Sequence, residues 1–328
     1  MFSYRVLLRQ AWKISRDHKY LWFFGLFASL LSAGSGWGLL TQNLEANYQG
    51  DFWSGVSAIF NWQYFSQTFH QGFINLFQSN WLFILDNILM LALIALIFIV
   101  VIWLTIASQG GLISHIRKII DHKKNGAPEL SVKDGLRTGH HNFWPIFGLN
   151  LGFKILMNFA FFLLTIPFLF IALVDSGWLG GTYVILFLIF IPIAIILNLI
   201  VKYAMAYTVI ENDSFFGAIE NAWRLFKRNW LISLEMMIAL FAVNFLGGLI
   251  LLLFLTIFIL PLFIVGVVFG LVWLSTIMLI LAIIAIAFGG SFLTTFENAG
   301  WVGLFIRLEE KGGVAKLERI FHKTKSKK

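Results

Sequence analysis

Nearly all basic residues of this chain lie in alternate polar segments between its apolar runs. This asymmetry constrains the fold more than any other feature. Of the 24 lysines and arginines, 22 lie in four polar segments: residues 1–20, 108–141, 211–229 and 301–328. Two intervening segments, 41–80 and 175–181, contain none. Because basic loops are retained on the cytoplasmic side of a membrane, the pattern predicts cytoplasmic termini and an even number of spans.

The composition argues against a soluble domain of this length. The chain is 59% hydrophobic and 12% charged, whereas soluble domains carry about 25% charged residues. The net charge of +8 is concentrated on the predicted cytoplasmic face, which favours anionic lipid headgroups as partners and argues against nucleic acid. The chain has no cysteine, so disulfides are excluded.

Several apolar runs exceed the roughly 20 residues that cross a hydrocarbon core. They are continuous rather than alternating, which predicts helices instead of a barrel. The predicted spans are about 21–40, 81–107, 143–174, 182–210, 230–258 and 264–296. The predicted fold class is an all-α integral membrane protein with six transmembrane helices in three hairpins, each preceded by an interfacial amphipathic helix. An even number of spans places the last turn near Pro261.

Three basic segments share one pattern immediately before spans one, three and five. Each has a small, an apolar and a basic residue, then four residues, then His or Asn, followed closely by an aromatic residue. The motif residues are Ala11, Trp12 and Lys13; Gly135, Leu136 and Arg137; and Ala222, Trp223 and Arg224, with Asn229 and Trp230 completing the third copy. Aromatic belts and basic flanks explain these residue types, but they do not explain the repeated spacing.

The pattern predicts one polytopic domain, residues 1–300, built from three parallel units in a pseudo-threefold arrangement. The units cover about 1–107, 127–210 and 214–298, and a basic cytoplasmic tail follows at 301–328. Ser214 is expected to cap the third amphipathic helix. In the loop 41–80, an aromatic residue at every fourth position from Phe65 to Trp81 indicates either a second kind of interfacial helix or a lid.

Sequence motifs for catalysis are absent. There is no zinc-protease, phosphate-loop, nucleophile-elbow or dinucleotide-binding pattern, so we expect no enzyme activity and no cofactor. His140 and His141 are adjacent and point in different directions on a helix, and no third ligand is evident. No metal site is therefore expected.

Polar residues within the predicted spans are the remaining candidates, because charges in hydrocarbon are usually paired or functional. They form a predicted intramembrane polar cluster in the cytoplasmic half: Lys154, Asn158, Asn198, Lys202, Glu235 and Glu297. The cluster could join the hairpins, bind an ion or proton, or consist partly of side chains that snorkel to the interface. Lys154 is the deepest, so we expect it to be paired, with Glu235 as its first partner.

One stretch carries a family resemblance. Residues 209–212 (Val-Ile-Glu-Asn), 217–223 (Gly-Ala-Ile-Glu-Asn-Ala-Trp) and 227–230 (Lys-Arg-Asn-Trp) resemble a broad group of bacterial polytopic membrane proteins of unassigned function. That group is similar to the membrane domain fused to some glycerophosphodiester phosphodiesterases. The resemblance implies a helical fold and a cell membrane. It transfers no activity, because no segment here supplies the hydrolase domain with its His/Glu metal cluster.

These observations favour a non-enzymatic integral membrane protein that organises lipid or partner proteins at the cytoplasmic membrane. The alternative is a transporter or channel for a small solute, lipid or ion that uses the intramembrane Lys/Glu/Asn cluster. A membrane-embedded enzyme acting on lipids is a third and weaker hypothesis. The expected partners are membrane lipids, with anionic headgroups on the cytoplasmic face, and a protein partner that the sequence does not identify.

Overall fold

The computed structural model describes residues 4–29, 81–122, 131–173 and 177–311. These residues are helical with short connections and contain no strand, in agreement with the predicted all-α class. The helices are α1, Tyr4–Asp17; α2, residues 21–29; α3, Trp81–His122; α4, Val132–His141; α5, Phe143–Leu173; α6, Gly177–Ala206; α7, Phe215–Phe254; α8, Leu260–Val268; and α9, Val272–Lys311. Two π-helical segments, Tyr207–Glu211 and Leu255–Ile259, follow α6 and α7. The aromatic pattern of the loop 41–80 lies outside the described residues.

Among the described residues, four segments are long and apolar enough to cross a membrane: Ile88–Asp121, Leu188–Glu211, Phe215–Val268 and Val272–Glu310. This identifies a polytopic membrane protein, while the full number of six spans stays a prediction. The chain forms two compact units, one of residues 1–26 and 106–328 and one of residues 27–105. In the second unit, residues 88–101 of α3 are exposed. The contacts described below belong to the first unit.

The turn between the last two long helical segments lies at Gly270 and not near Pro261, where the sequence predicted it. Pro261 is the second residue of α8, which follows the π-helical segment directly, and the helical path continues through it. Gly270 has a φ of +65°, which glycine adopts without steric cost. The amide of Leu271 donates to the carbonyl of Gly266 at 2.7 Å, a Schellman closure. The proline is tolerated because it stands at the start of a helical segment.

The last helix also extends further than predicted. It runs to Lys311, and residues 301–306 and 308 are buried. Residues 301–311 therefore belong to the helical bundle and not to the basic tail predicted over 301–328. The rest of that tail lies outside the described residues.

The core of the first unit lies toward the ends of the helices that carry the basic residues. We call residues 4–26, 106–122, 132–150, 199–240 and 291–311 the basic half, and residues 151–160, 188–198 and 241–290 the apolar half. The buried residues of these ranges lie in the basic half, apart from Ile259 and Gly266. In the apolar half, large side chains such as Phe245 and Ile250 are exposed.

Candidate functional site

The three segments that carry the sequence motif are helices that are interrupted at equivalent positions. Helix α1 ends at Asp17, directly before His18, and α4 ends directly before Asn142. Helix α7 has a break at Asn229, where φ is −130° and ψ is 29°. Each interruption lies seven residues after the small residue of its motif. Each one separates a short amphipathic helix from an apolar helix, which is long in the second and third segments and is described over residues 21–29 in the first.

Local hydrogen bonds explain why the second and third interruptions occur at asparagine. The Asn142 side chain donates to the carbonyl of Thr138 at 3.2 Å, and the Asn229 side chain donates to the carbonyl of Leu225 at 3.1 Å. Both asparagines are buried. Each side-chain amide therefore bonds back to a carbonyl of its own helix end, and the carbonyl of Thr138 also accepts from the backbone amide of Asn142 at 3.2 Å. At the other end of the third segment, Ser214 accepts from the amide of Gly217, as its predicted capping role requires.

Within the motif, the small residue faces the protein and the basic residue faces away. Ala11 and Ala222 are 1% and 0% exposed, and Gly135 is also buried. The basic residues that follow two positions later, Lys13, Arg137 and Arg224, are all exposed. A helix face of small residues lets two helices approach closely, which accounts for the first motif position.

The closest of these contacts is the crossing of α4 with α3. A Cβ atom added at Gly139 would overlap the backbone of Ala107, and one added at Gly135 would overlap the ring of His115. Gly111 of α3 in turn faces the backbone of Gly135. Because backbone atoms cannot move aside cheaply, only glycine fits at Gly139.

Hydrogen bonds join the helix after each interruption to a long helix from a different predicted unit. These pairs are α2 with α9, α5 with α3, and α7 with α6. The bonds run from Ser291 Oγ to the Trp22 carbonyl, from Asn150 Nδ2 to Gln109 Oε1 at 2.8 Å, and between Tyr203 Oη and Ser233 Oγ at 2.7 Å. The first helix of each predicted hairpin thus contacts the second helix of the hairpin before it in the chain, and for the first hairpin that place is taken by the third.

An ion pair lies where α6, α7 and α9 meet, and we call it the Lys202 site. Lys202 Nζ pairs with Glu297 Oε1, and the Asn244 side chain donates to Glu297 Oε2 at 2.9 Å. The lysine nitrogen also lies 5.0 Å from the centroid of the Trp301 ring, within the range of a cation–π contact. The side chains of Lys202 and Glu297 keep 26% and 32% of their surface uncovered by protein.

A cavity of about 20 Å³ adjoins this site. It is lined by α3, α6 and α9, through residues that include Ile113, Lys202, Tyr203, Asn298 and Trp301. A volume of this size holds about one water molecule. The arrangement can hydrate the ion pair, but it offers no room for a larger solute.

The structure separates the predicted intramembrane polar cluster into three parts. Lys202 and Glu297 form the ion pair, whereas Glu235 accepts a hydrogen bond from the Tyr4 hydroxyl. Lys154, Asn158 and Asn198 are exposed. The predicted pair of Lys154 with Glu235 is therefore wrong, because Lys154 forms no hydrogen bond or ion pair with any described residue. The error came from judging pairing by depth alone, without knowing which way each helix face points.

Sequence reasoning missed His115, which is 0% exposed. Its ring lies 5.7 Å from that of Tyr20 and 5.4 Å from that of Phe24. Neither ring nitrogen bonds to a described residue of another helix. A signal was available, because Ala107, Gly111 and His115 recur every four residues and so share the face on which α4 packs.

Among the described residues, no group of three His, Cys, Asp or Glu side chains is placed to hold a metal ion. In the comparisons with known proteins, no family model, curated protein or solved structure matches the chain.

Proposed function

We propose that this is a non-enzymatic protein of the cytoplasmic membrane that organises lipid or partner proteins there. In this proposal the chain crosses the membrane six times in three hairpins, and both termini are cytoplasmic. The three amphipathic helices lie at the cytoplasmic interface and present their basic residues to anionic headgroups. The observation that carries the proposal is the shared orientation of the motif, with its small residue buried and its basic residue exposed.

Exposed aromatic side chains on the same helices support an interfacial position. Phe216, Trp223 and Trp230 of α7 recur every seven residues and are 81%, 47% and 55% exposed. The exposed cations Arg224 and Lys227 lie beside them on the helix. Amphipathic helices bind at an interface by placing aromatic rings at the acyl boundary and cations among the headgroups.

The chemistry of the Lys202 site also supports a structural role. The carboxylate of Glu297 is bonded by both Lys202 and Asn244, so the two charged groups already have partners. Polar contacts of this kind join helices inside a membrane. The adjoining cavity of about 20 Å³ favours this role over solute passage.

The alternative function is transport of a small solute, lipid or ion. It is favoured by the same ion pair, because uncovered charges within a membrane segment often mark substrate or ion pathways. Loss of ion or solute flux in Lys202→Met, at unchanged thermal stability in detergent, would support transport. Loss of stability with no measurable flux in the wild-type protein would support the structural role.

Topology is the first test. The chain has no cysteine, so single cysteines at Gln49, Gly177, Lys123 and Lys325 report their side of the membrane directly. An impermeant maleimide applied to intact cells should label the first two and not the last two. Labelling of Lys123→Cys or Lys325→Cys from outside would contradict the proposed orientation.

Lipid organisation is the second test. The full chain is purified from membranes that contain phosphatidylglycerol, and native mass spectrometry counts the retained lipids. We expect a triple Gln variant of Lys13, Arg137 and Arg224 to retain fewer anionic lipids than a matched triple Gln variant of three other exposed cations, Arg16, Lys19 and Lys133. Equal retention by the two variants would show that lipid binding follows net charge and not the motif.

A further inference from the structure

His115 is an ionisable side chain that the protein encloses completely. It lies in α3 and is 0% exposed. Neither Nδ1 nor Nε2 bonds to a described residue of another helix. Within α3, the acceptor that acts on the ring is the carbonyl of Gly111, one turn earlier. A neutral imidazole has one N–H donor, whereas an imidazolium has two. The described surroundings therefore suit the neutral ring and offer no acceptor for a second proton.

Helix α4 closes this site. A Cβ atom added at Gly135 would overlap Cε1 and Nδ1 of His115, so that edge of the ring lies directly against the α4 backbone. The rings of Tyr20 and Phe24 also pack against it, with centroids 5.7 Å and 5.4 Å away. Because the ring contacts α4 and has no exposed surface, movement of α4 away from α3 would uncover this edge to water.

The charged and titratable groups near the ring do not stabilise a second proton while α4 is docked. Asp134 of α4 and Lys118 of α3 act on the ring with opposite signs, and Asp134 is exposed. The Tyr20 hydroxyl is buried and does not bond to the ring, and the His18 ring centroid lies 6.0 Å from that of Tyr20. Burial of a cation without its full set of acceptors is unfavourable.

We propose that His115 is a pH switch for the position of α4: the neutral ring allows α4 to dock on α3 at Gly135, and protonation of the ring favours the undocked helix. This inference goes beyond the proposed function, because it makes the docking of one amphipathic helix depend on pH. It concerns the contact of α3 with α4 and requires neither lipid nor a particular orientation in the membrane.

The sign and size of the effect follow from proton linkage. A histidine that is open to water takes up a proton near pH 6.5, whereas the docked ring excludes that proton. Docking is therefore unaffected above about pH 7.5 and becomes weaker as the pH falls below about 6.5. At about pH 5 the undocked population should be about thirtyfold larger, the factor for about 1.5 pH units.

The test measures hydrogen exchange of the full chain in detergent at about pH 7.5 and about pH 5, with each rate divided by the intrinsic rate at that pH. We expect the protection of the α4 amides, Val132–His141, to fall about thirtyfold at the lower pH. Residues 215–229 contain no histidine and should keep their protection.

His115→Phe keeps a ring without a titratable nitrogen and should abolish the pH dependence of α4. His18→Gln and His141→Gln are the matched controls. They alter one half-buried and one exposed histidine, and both variants should keep the pH dependence. The same loss of α4 protection in His115→Phe as in the wild type would assign the effect to another group and overturn the proposal.

The wild-type protein gives a second measurement that needs no variant. Exchange of the hydrogen on Cε1 of each imidazole, read by mass spectrometry, reports the protonation and water access of the 7 histidines separately. His115 should exchange far more slowly than the exposed His141, because α4 covers its Cε1 atom. A His115 titration that coincides with that of His141 would overturn the proposal. Unchanged or higher α4 protection at the lower pH would also overturn it, and higher protection would show that Asp134 binds the imidazolium.

Discussion

The basic half and the apolar half of the first unit are built from the same long helices but pack differently. In the basic half, helices meet through glycine, alanine and hydrogen-bonded polar side chains, as at Gly139 and at the Lys202 site. In the apolar half, large side chains such as Phe245 and Ile250 are exposed at 62% and 67%. Apolar burial gives little net attraction between helices that are already in lipid. Hydrophobicity alone therefore does not decide where these helices pack; the small and polar residues of the basic half do, and large apolar side chains such as Leu240 are buried around them.

The largest expected effect breaks the tightest contact of the basic half. Gly139→Leu should prevent α4 from docking on α3, because its Cβ would overlap the backbone of Ala107. Overpacking costs typically 1–3 kcal/mol when side chains can adjust, and here the obstacle is backbone, so we expect a loss of about 3 kcal/mol or more. The measurement is thermal or denaturant unfolding in detergent.

The matched control for that substitution is Gly152→Leu, which lies in the apolar half with open space around it. Its effect should stay within about 0.5 kcal/mol, as for surface substitutions in general. A large loss in Gly152→Leu, or none in Gly139→Leu, would remove the distinction between the two halves.

The next effect concerns the ion pair of the basic half. Lys202→Met leaves the carboxylate of Glu297 without its cation. Removing one partner of a fully buried pair costs about 3–5 kcal/mol, and the partial exposure of this pair reduces the expected loss to about 2 kcal/mol. Adding Glu297→Gln should recover part of the loss.

A double-mutant cycle measures the coupling between these two residues. Lys154→Met is the control, because Lys154 has no described protein partner and its removal should leave detergent stability unchanged. If the losses in Lys202→Met and Glu297→Gln simply added, the two side chains would not be coupled, and the ion pair would contribute nothing to the packing of the basic half.

A smaller effect is expected at the helix interruptions. Asn229→Ala removes the hydrogen bond from the buried side chain to the carbonyl of Leu225, and the loss of one such bond costs about 1 kcal/mol. Asn142→Ala should cost a similar amount, and Asn198→Ala, which alters an exposed asparagine, should cost almost nothing. Hydrogen exchange of the flanking helix turns reports the local change. A loss confined to only one of the two buried asparagines would argue against equivalent interruptions.

The smallest effect is expected in the apolar half itself. Leu246→Ala alters a side chain that is 55% exposed and should change stability by less than about 0.5 kcal/mol. The comparison residue is Leu240 on the same helix, which is 2% exposed, and Leu240→Ala should cost about 2 kcal/mol or more. Equal losses from the two leucines in an unfolding titration would show that both halves are packed alike.

The sequence by itself determined the properties that depend on neighbouring residues. Continuous apolar runs predicted helices of membrane length, because lipid leaves the backbone no other partner. The spacing from Ala11, Gly135 and Ala222 to His18, Asn142 and Asn229 predicted amphipathic helices directly before apolar ones. In the structure the two asparagines each bond the carbonyl four residues earlier. Six spans, three units and the cytoplasmic orientation stay predictions from the same patterns.

Only the tertiary structure decided which distant residues meet. Depth along a helix placed Lys154, Lys202, Glu235 and Glu297 in one zone of the predicted membrane. The direction of each helix face decides the contacts: Glu297 pairs with Lys202, Glu235 accepts from Tyr4, and Lys154 is exposed. Likewise His115 became a core residue because α4 crosses α3 at glycines. Pairing across helices depends on rotation and crossing, and these are set by contacts between residues far apart in the chain, which a single sequence does not reveal.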